Sequence, residues 1–217
     1  MGVLEILKQG MSVYCERGVG LLFTQPANTI SNIAIFISAY LAYQFVQTHH
    51  IKSLIIRMLP LIVALAGVGS VLWHGMPSLL TSFADLLPLS AFILVSFFFL
   101  LGKLLPNKRL VCGIFCLFIL IETPFIFGIL PSFNGFIQYF LVFIFGIFVF
   151  VGVAKKYHLF PQLIPIIIVF AMALFSRTID LKICSMFSAG THFVWHILIG
   201  FLLYLIIRFL VEIEKRK

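Results

Sequence analysis

The chain is 217 residues long, 62% apolar and only 10% charged, with a mean hydropathy of +1.18 and a formal net charge of +8. A water-soluble fold of this size must solvate its surface, which 15 Lys and Arg with 7 Asp and Glu cannot do, so soluble enzyme folds are excluded. The basic residues are scattered in twos and threes between apolar runs, with no stripe that could follow a phosphate backbone, so no nucleic acid partner is expected and the charges read as topology signals.

The first 13 residues carry Glu5, Lys8 and Gln9 and lack an apolar core followed by small residues, so the first span is expected to act as its own signal. A helix needs about 20 apolar residues to cross roughly 30 Å of hydrocarbon. Pro, Gly, Asn and charge divide the remaining chain into seven such stretches, at 26–47, 53–75, 79–101, 109–130, 134–154, 161–178 and 190–211. The connections are short and no strict alternation is present. An open sheet cannot satisfy its backbone in lipid, so helices are expected throughout. The fold class that follows is all-α: one domain over 1–217, a seven-transmembrane-helix bundle with its termini on opposite sides. Lys8, Arg17, Arg177 and Lys182 fall on one side. The other side holds Lys52, Arg57, Lys103, Lys108, Arg109, Lys155, Lys156, Arg208, Lys215, Arg216 and Lys217. The positive-inside rule makes that richer side cytoplasmic and puts the amino terminus outside.

Polar groups inside such spans cost several kcal/mol unless they are paired or bind something. Along the chain they are Asn28 and Asn32, Ser70 and His74, Asp85, Glu122, Arg177 and Asp180, and His192 and His196. In the up-and-down order of the spans, all but Glu122 fall within about two or three helical turns of the outer end. Accidental polar residues would not choose one leaflet in five helices, so a single polar chamber in the outer half of the bundle is expected.

His192 and His196 are four apart, which stacks both imidazoles on one helix face. His74 would complete three protein ligands and leave a fourth position open, the arrangement of catalytic rather than structural zinc. Asp85 adds a carboxylate that can orient a ligand or accept a proton from a water acidified to a pKa near about 7. From the residues alone, a metal site, a proton relay or transport path, and helix-to-helix hydrogen bonding all stay open. The spacing favours the metal, and three nitrogen donors without a redox partner favour zinc over iron.

Six segments then point to a family. Y-C-E-R at 14–17, Q-P-A-N-T-I-S-N at 25–32, G-V-G-S-V-L-W-H at 67–74, A-D-L-L-P at 84–88, R-T-I-D-L-K-I-C at 177–184 and G-T-H-F-V-W-H at 190–196 resemble, in order, the motif series of the alkaline ceramidase family. That family belongs to a superfamily of seven-helix membrane hydrolases that includes adiponectin-type receptors, and the short loops look most like its bacterial members. The resemblance implies hydrolysis of the ceramide amide to a sphingoid base and a fatty acid. It implies one Zn2+ held by His74, His192 and His196 plus water, with Asp85 assisting that water and Ser70 stabilising the oxyanion. It implies a membrane lipid as substrate partner, with no obligate protein partner evident, and a bacterial inner membrane as location, or an endomembrane in a eukaryote. The site would face the extracytoplasmic side.

The family pattern also brings Cys15 and Cys184 together, and both fall outside in this topology, so the resemblance implies a disulfide between them. Where animal relatives carry an acidic calcium site, Glu16 alone matches. Val13, Gly18 and Gln25 replace oxygen-rich or acidic ligands, and no calcium is expected. Asn28 and Asn32 share a face and are expected to bond across to the chamber wall, Arg177 is expected to pair with Asp180, and Glu122 is expected to be hydrogen-bonded at the bend that Pro124 makes. Two alternatives to the ceramidase reading remain at this point: hydrolysis of another amide or ester lipid, and a receptor-like or transport protein with a structural metal.

Overall fold

The computed structural model describes residues 14–17, 23–126, 129–130 and 135–216. Among these are eight α-helices: α1 (Pro26–Ser31), α2 (Ile33–Thr48), α3 (Leu54–Gly75), α4 (Leu79–Leu104), α5 (Lys108–Ile126), α6 (Phe136–Tyr157), α7 (Phe160–Ile179) and α8 (His192–Lys215). A short 3-10 turn, Asp180–Lys182, follows α7. Helices α1 and α2 form one rod broken at Asn32. Six segments are long and apolar enough to cross a membrane: Pro26–Thr48, Leu54–Gly75, Leu79–Leu104, Phe136–Tyr157, Phe160–Lys182 and His192–Lys215. The chain is thus a multi-pass helical membrane protein. The expected fourth span, 109–130, corresponds to α5, which is not among the six and ends at Ile126. Pro124 cannot donate within the helix, and its carbonyl accepts instead from Ile129 and Leu130 (2.8 and 3.1 Å).

The helices pack in a ring, α2 against α3, α3 against α4, α4 against α6, and α6, α7 and α8 in turn, with α8 returning to α2; α5 lies outside, against α4 and α6. In lipid there is little hydrophobic force between helices, so small residues that admit a neighbouring backbone, and interlocked side chains, hold them together. Gly69 is the clearest case. Any Cβ there would strike the backbone carbonyl of Ala84 and come within 2.7 Å of the Asp85 nitrogen. Only glycine lets α3 approach α4 so closely, and the residues beside that crossing are Ser70 and Asp85. Deeper in the bundle the rings of Phe97, Phe118 and Phe145 meet at 4.4–5.4 Å, joining α4, α5 and α6.

The two ends of the bundle differ. At one end, Lys103 pairs with Glu214 (2.9 Å), Lys156 donates to the Lys103 carbonyl (2.6 Å) and Arg216 donates to the Tyr157 carbonyl (2.5 Å). At the other, a disulfide joins Cys15 to Cys184 and ties the amino-terminal segment to the turn after α7. The expected disulfide is therefore present.

Candidate metal centre

The site is built where the amino-terminal segment folds into the disulfide-bearing end. Thr24 and Gln25 donate their N–H groups to the carbonyls of Gly75 and His74 (3.2 and 3.0 Å), which tucks the chain under the end of α3. Helix α1 then starts at Pro26, whose missing N–H costs nothing at that position. Its next two N–H groups, those of Ala27 and Asn28, donate to the two carboxylate oxygens of Glu16 (2.7 and 2.8 Å). Glu16 thereby caps a helix, while Val13 and Gly18 of the calcium comparison lie outside the described residues. Helix α8 is capped in the same manner. The buried carboxylate of Asp180 accepts from Thr191 and His192 (2.7 and 2.9 Å) and, through its second oxygen, from the N–H of Cys15 (3.0 Å). Gly190, at φ +64°, makes the turn into α8; a Cβ there would meet the Asp180 carboxylate and lie 2.5 Å from Cys15 Cβ.

These caps converge on three imidazoles. His74, from the last turn of α3, and His192 and His196, from the first two turns of α8, are all buried, and one nitrogen of each lies within 4.8 Å of the others. Ring centroids are 4.6–5.2 Å apart. His74 donates from Nδ1 to Gln25 Oε1 (2.5 Å), and His196 donates from Nδ1 to the Asn28 carbonyl (2.9 Å) and Ser31 Oγ (2.8 Å). Because those partners accept, both rings are held in the tautomer whose Nε2 carries the free lone pair. Such outer partners are what orient metal-bound histidines. The Nδ1 of His192 is buried with no hydrogen-bond partner among the described residues. Two free lone pairs directed beside a third buried ring with an orphaned nitrogen fit a divalent cation. The three histidines can therefore bind a metal ion.

Around them, Ser70 is buried one turn before His74 on α3, and Gly69 beside it packs on the backbone of Asp85. Asp85 stands half-buried on the second turn of α4, beside the three-histidine group rather than within it. Asn28 and Asn32 are both buried. Their side chains bond within their own segment, Asn28 Nδ2 to Gln25 Oε1 (3.2 Å) and Asn32 Nδ2 to the Asn28 carbonyl (2.8 Å). The bond across the chamber, expected from side chains, comes instead from the Asn28 backbone. Asp180, expected beside Arg177, has its oxygens on three backbone N–H groups, and the Arg177 guanidinium lies over the rings of Tyr139 and Trp195 (4.9 and 5.1 Å).

Three contributors carried no assigned chemistry in the sequence: Tyr14, Gln25 and Ser31. Tyr14 stacks on His192 (4.0 Å between centroids, 27° between planes) and accepts from Trp73 Nε1 (3.4 Å). Burial pushes its phenol above the ordinary value, against the pull of Arg177, so it stays a neutral hydroxyl. All three residues fall inside the quoted motifs, and a polar residue immediately before Pro26 was the available signal for Gln25. Cys112 and Cys116 are free cysteines exposed on α5. Comparison of the chain with models of known families and with curated proteins gives no match.

Proposed function

We propose that the protein is a zinc-dependent intramembrane amidohydrolase that cleaves the amide bond of ceramide-type lipids to a sphingoid base and a fatty acid. The observation that carries this reading is the convergence of three buried imidazoles, two with their outer nitrogens anchored, next to the α3–α4 crossing that holds Ser70 and Asp85. The motif series resembling the alkaline ceramidases supplies the substrate class. A cavity walled by α4, α6, α7 and α8 and apolar but for Ser96 and Tyr139 supports it further. Ile199, one turn beyond His196, lines that cavity, which can take an alkyl chain.

His74, His192 and His196 would hold the ion. Zinc at such a centre acts as a Lewis acid that polarises a carbonyl and acidifies water. Asp85 is the proton carrier: it takes a proton from the attacking water as the water oxygen bonds to the carbonyl carbon, and delivers it to the nitrogen as the C–N bond breaks. Ser70, one turn before His74 and at the same helix crossing as Asp85, is left to stabilise the oxyanion, the role the resemblance implies. Tyr14 and Trp195 exclude water from the histidine side.

The same reading takes α5 as a seventh span and places the site on the extracytoplasmic side of a bacterial inner membrane. The disulfide at the site end supports this, since such bonds persist in oxidising compartments, and so does the basic opposite end. The test is fatty acid release from ceramides by purified protein, together with its metal content. Turnover lost on His74→Ala and Asp85→Ala, with metal lost only on the first, is the expected result. Metal retained by a wild type that turns over no amide or ester lipid would replace the enzyme with a receptor-like protein holding a structural ion.

A further inference from the structure

Outside the metal centre the structure buries one more acidic side chain that the reaction does not use. Glu122, on α5 one turn from its end, is 4% exposed, and neither carboxylate oxygen has a hydrogen-bond partner among the described residues. This corrects the expectation of a hydrogen-bonded carboxyl at the Pro124 bend. No Lys, Arg or His occurs in the neighbouring segment 127–134. Isolated buried carboxylates are costly, and proteins keep them where a partner arrives.

Glu122 lines a cavity between α4, α5 and α6, whose other polar walls are Ser90, Thr123 and Gln138. Ile93 and Val142 line both this cavity and the apolar one. The Glu122 cavity therefore adjoins a hydrocarbon-lined one across these two side chains.

We infer that Glu122 and its cavity form a binding site for the ammonium group of a single-chain amphiphilic amine, with the alkyl chain in the adjoining apolar cavity. Ammonium supplies the positive charge and the donors that the two carboxylate oxygens lack, and Ser90 and Gln138 offer further polar contacts to hydroxyls near the amine. As an account of where the amine product resides, this rests on the amidohydrolase reading; as a binding site, it stands without it.

The test measures binding of dodecylamine and of dodecanol, each corrected for partition into protein-free discs, to the full-length protein in phosphatidylcholine nanodiscs. Wild type and His74→Ala should both prefer the amine by at least about tenfold, because the site does not need the ion. Glu122→Gln should abolish that preference while leaving dodecanol binding unchanged. Equal affinity for the two probes in wild type overturns the inference even if Glu122→Gln fails to fold, and so does a preference that survives Glu122→Gln. Loss of hydrolysis with the amine preference intact would remove the enzyme reading alone.

Discussion

Replacing Asp180 by Ala tests how the metal centre is held. Its carboxylate satisfies three backbone N–H groups, those of Cys15, Thr191 and His192, in a fully buried position. Each donor left without a partner costs roughly 1–2 kcal/mol, and a negative charge at a helix start adds about 0.3–1 kcal/mol. Asp180→Ala should therefore destabilise the protein by about 3–7 kcal/mol. Asp180→Asn should cost about 1–3 kcal/mol, since its amide oxygen can still accept from Thr191 and His192 while its NH2 group opposes the Cys15 N–H. The same substitutions should weaken metal binding, because the first turn of α8 carries His192. Reversible unfolding in mixed micelles with the disulfide intact, alongside zinc titration of the folded fraction, measures both effects. Stability and zinc affinity of Asp180→Ala both equal to wild type would refute the capping argument; Asn as damaging as Ala would refute its division among the three donors.

Two further outcomes follow from the outer partners and the helix crossing. Gln25→Leu removes the acceptor that anchors His74 and should lower zinc affinity by about 10–100-fold, whereas Ser31→Ala leaves His196 bonded to the Asn28 carbonyl and should cost less than about tenfold; competition with a chelator ranks the two variants, and the reverse order would contradict the assigned anchors. Gly69→Val must push α3 from the Ala84 carbonyl, with an expected destabilisation of at least about 1–3 kcal/mol from overpacking and a larger fall in amide turnover than in zinc content, because Ser70 and Asp85 separate while the three histidines need not. Unfolding, metal analysis and turnover on one preparation decide this.

Much of the architecture was readable from one dimension. Whether a segment inserts in a bilayer depends on its own summed hydropathy, so the stretches at 26–47, 53–75 and 79–101 lie within a few residues of Pro26–Thr48, Leu54–Gly75 and Leu79–Leu104. The shared depth of His74, His192 and His196 followed from the same arithmetic, because in a rigid helix position along the chain is position across the membrane. Helix rotation and the path of the irregular segments did not follow. Glu16 and Asp180 are both acidic residues near spans, and nothing in their spacing shows that each ends on backbone N–H groups of a helix that begins 10–12 residues later.

The amino-acid order by itself determined which segments are apolar enough to cross, which end is basic, and that three imidazoles stand at one level. Only the tertiary structure decided that they meet, that Gln25, Ser31 and the Asn28 carbonyl hold two of them in one tautomer, and that Glu122 lines a cavity without a partner. The reason is physical: insertion into lipid is a property summed residue by residue, whereas facing a common centre depends on the simultaneous packing of α1, α3, α4 and α8, in which a single hydrogen atom at Gly69 in place of a methyl group sets how closely two helices can approach.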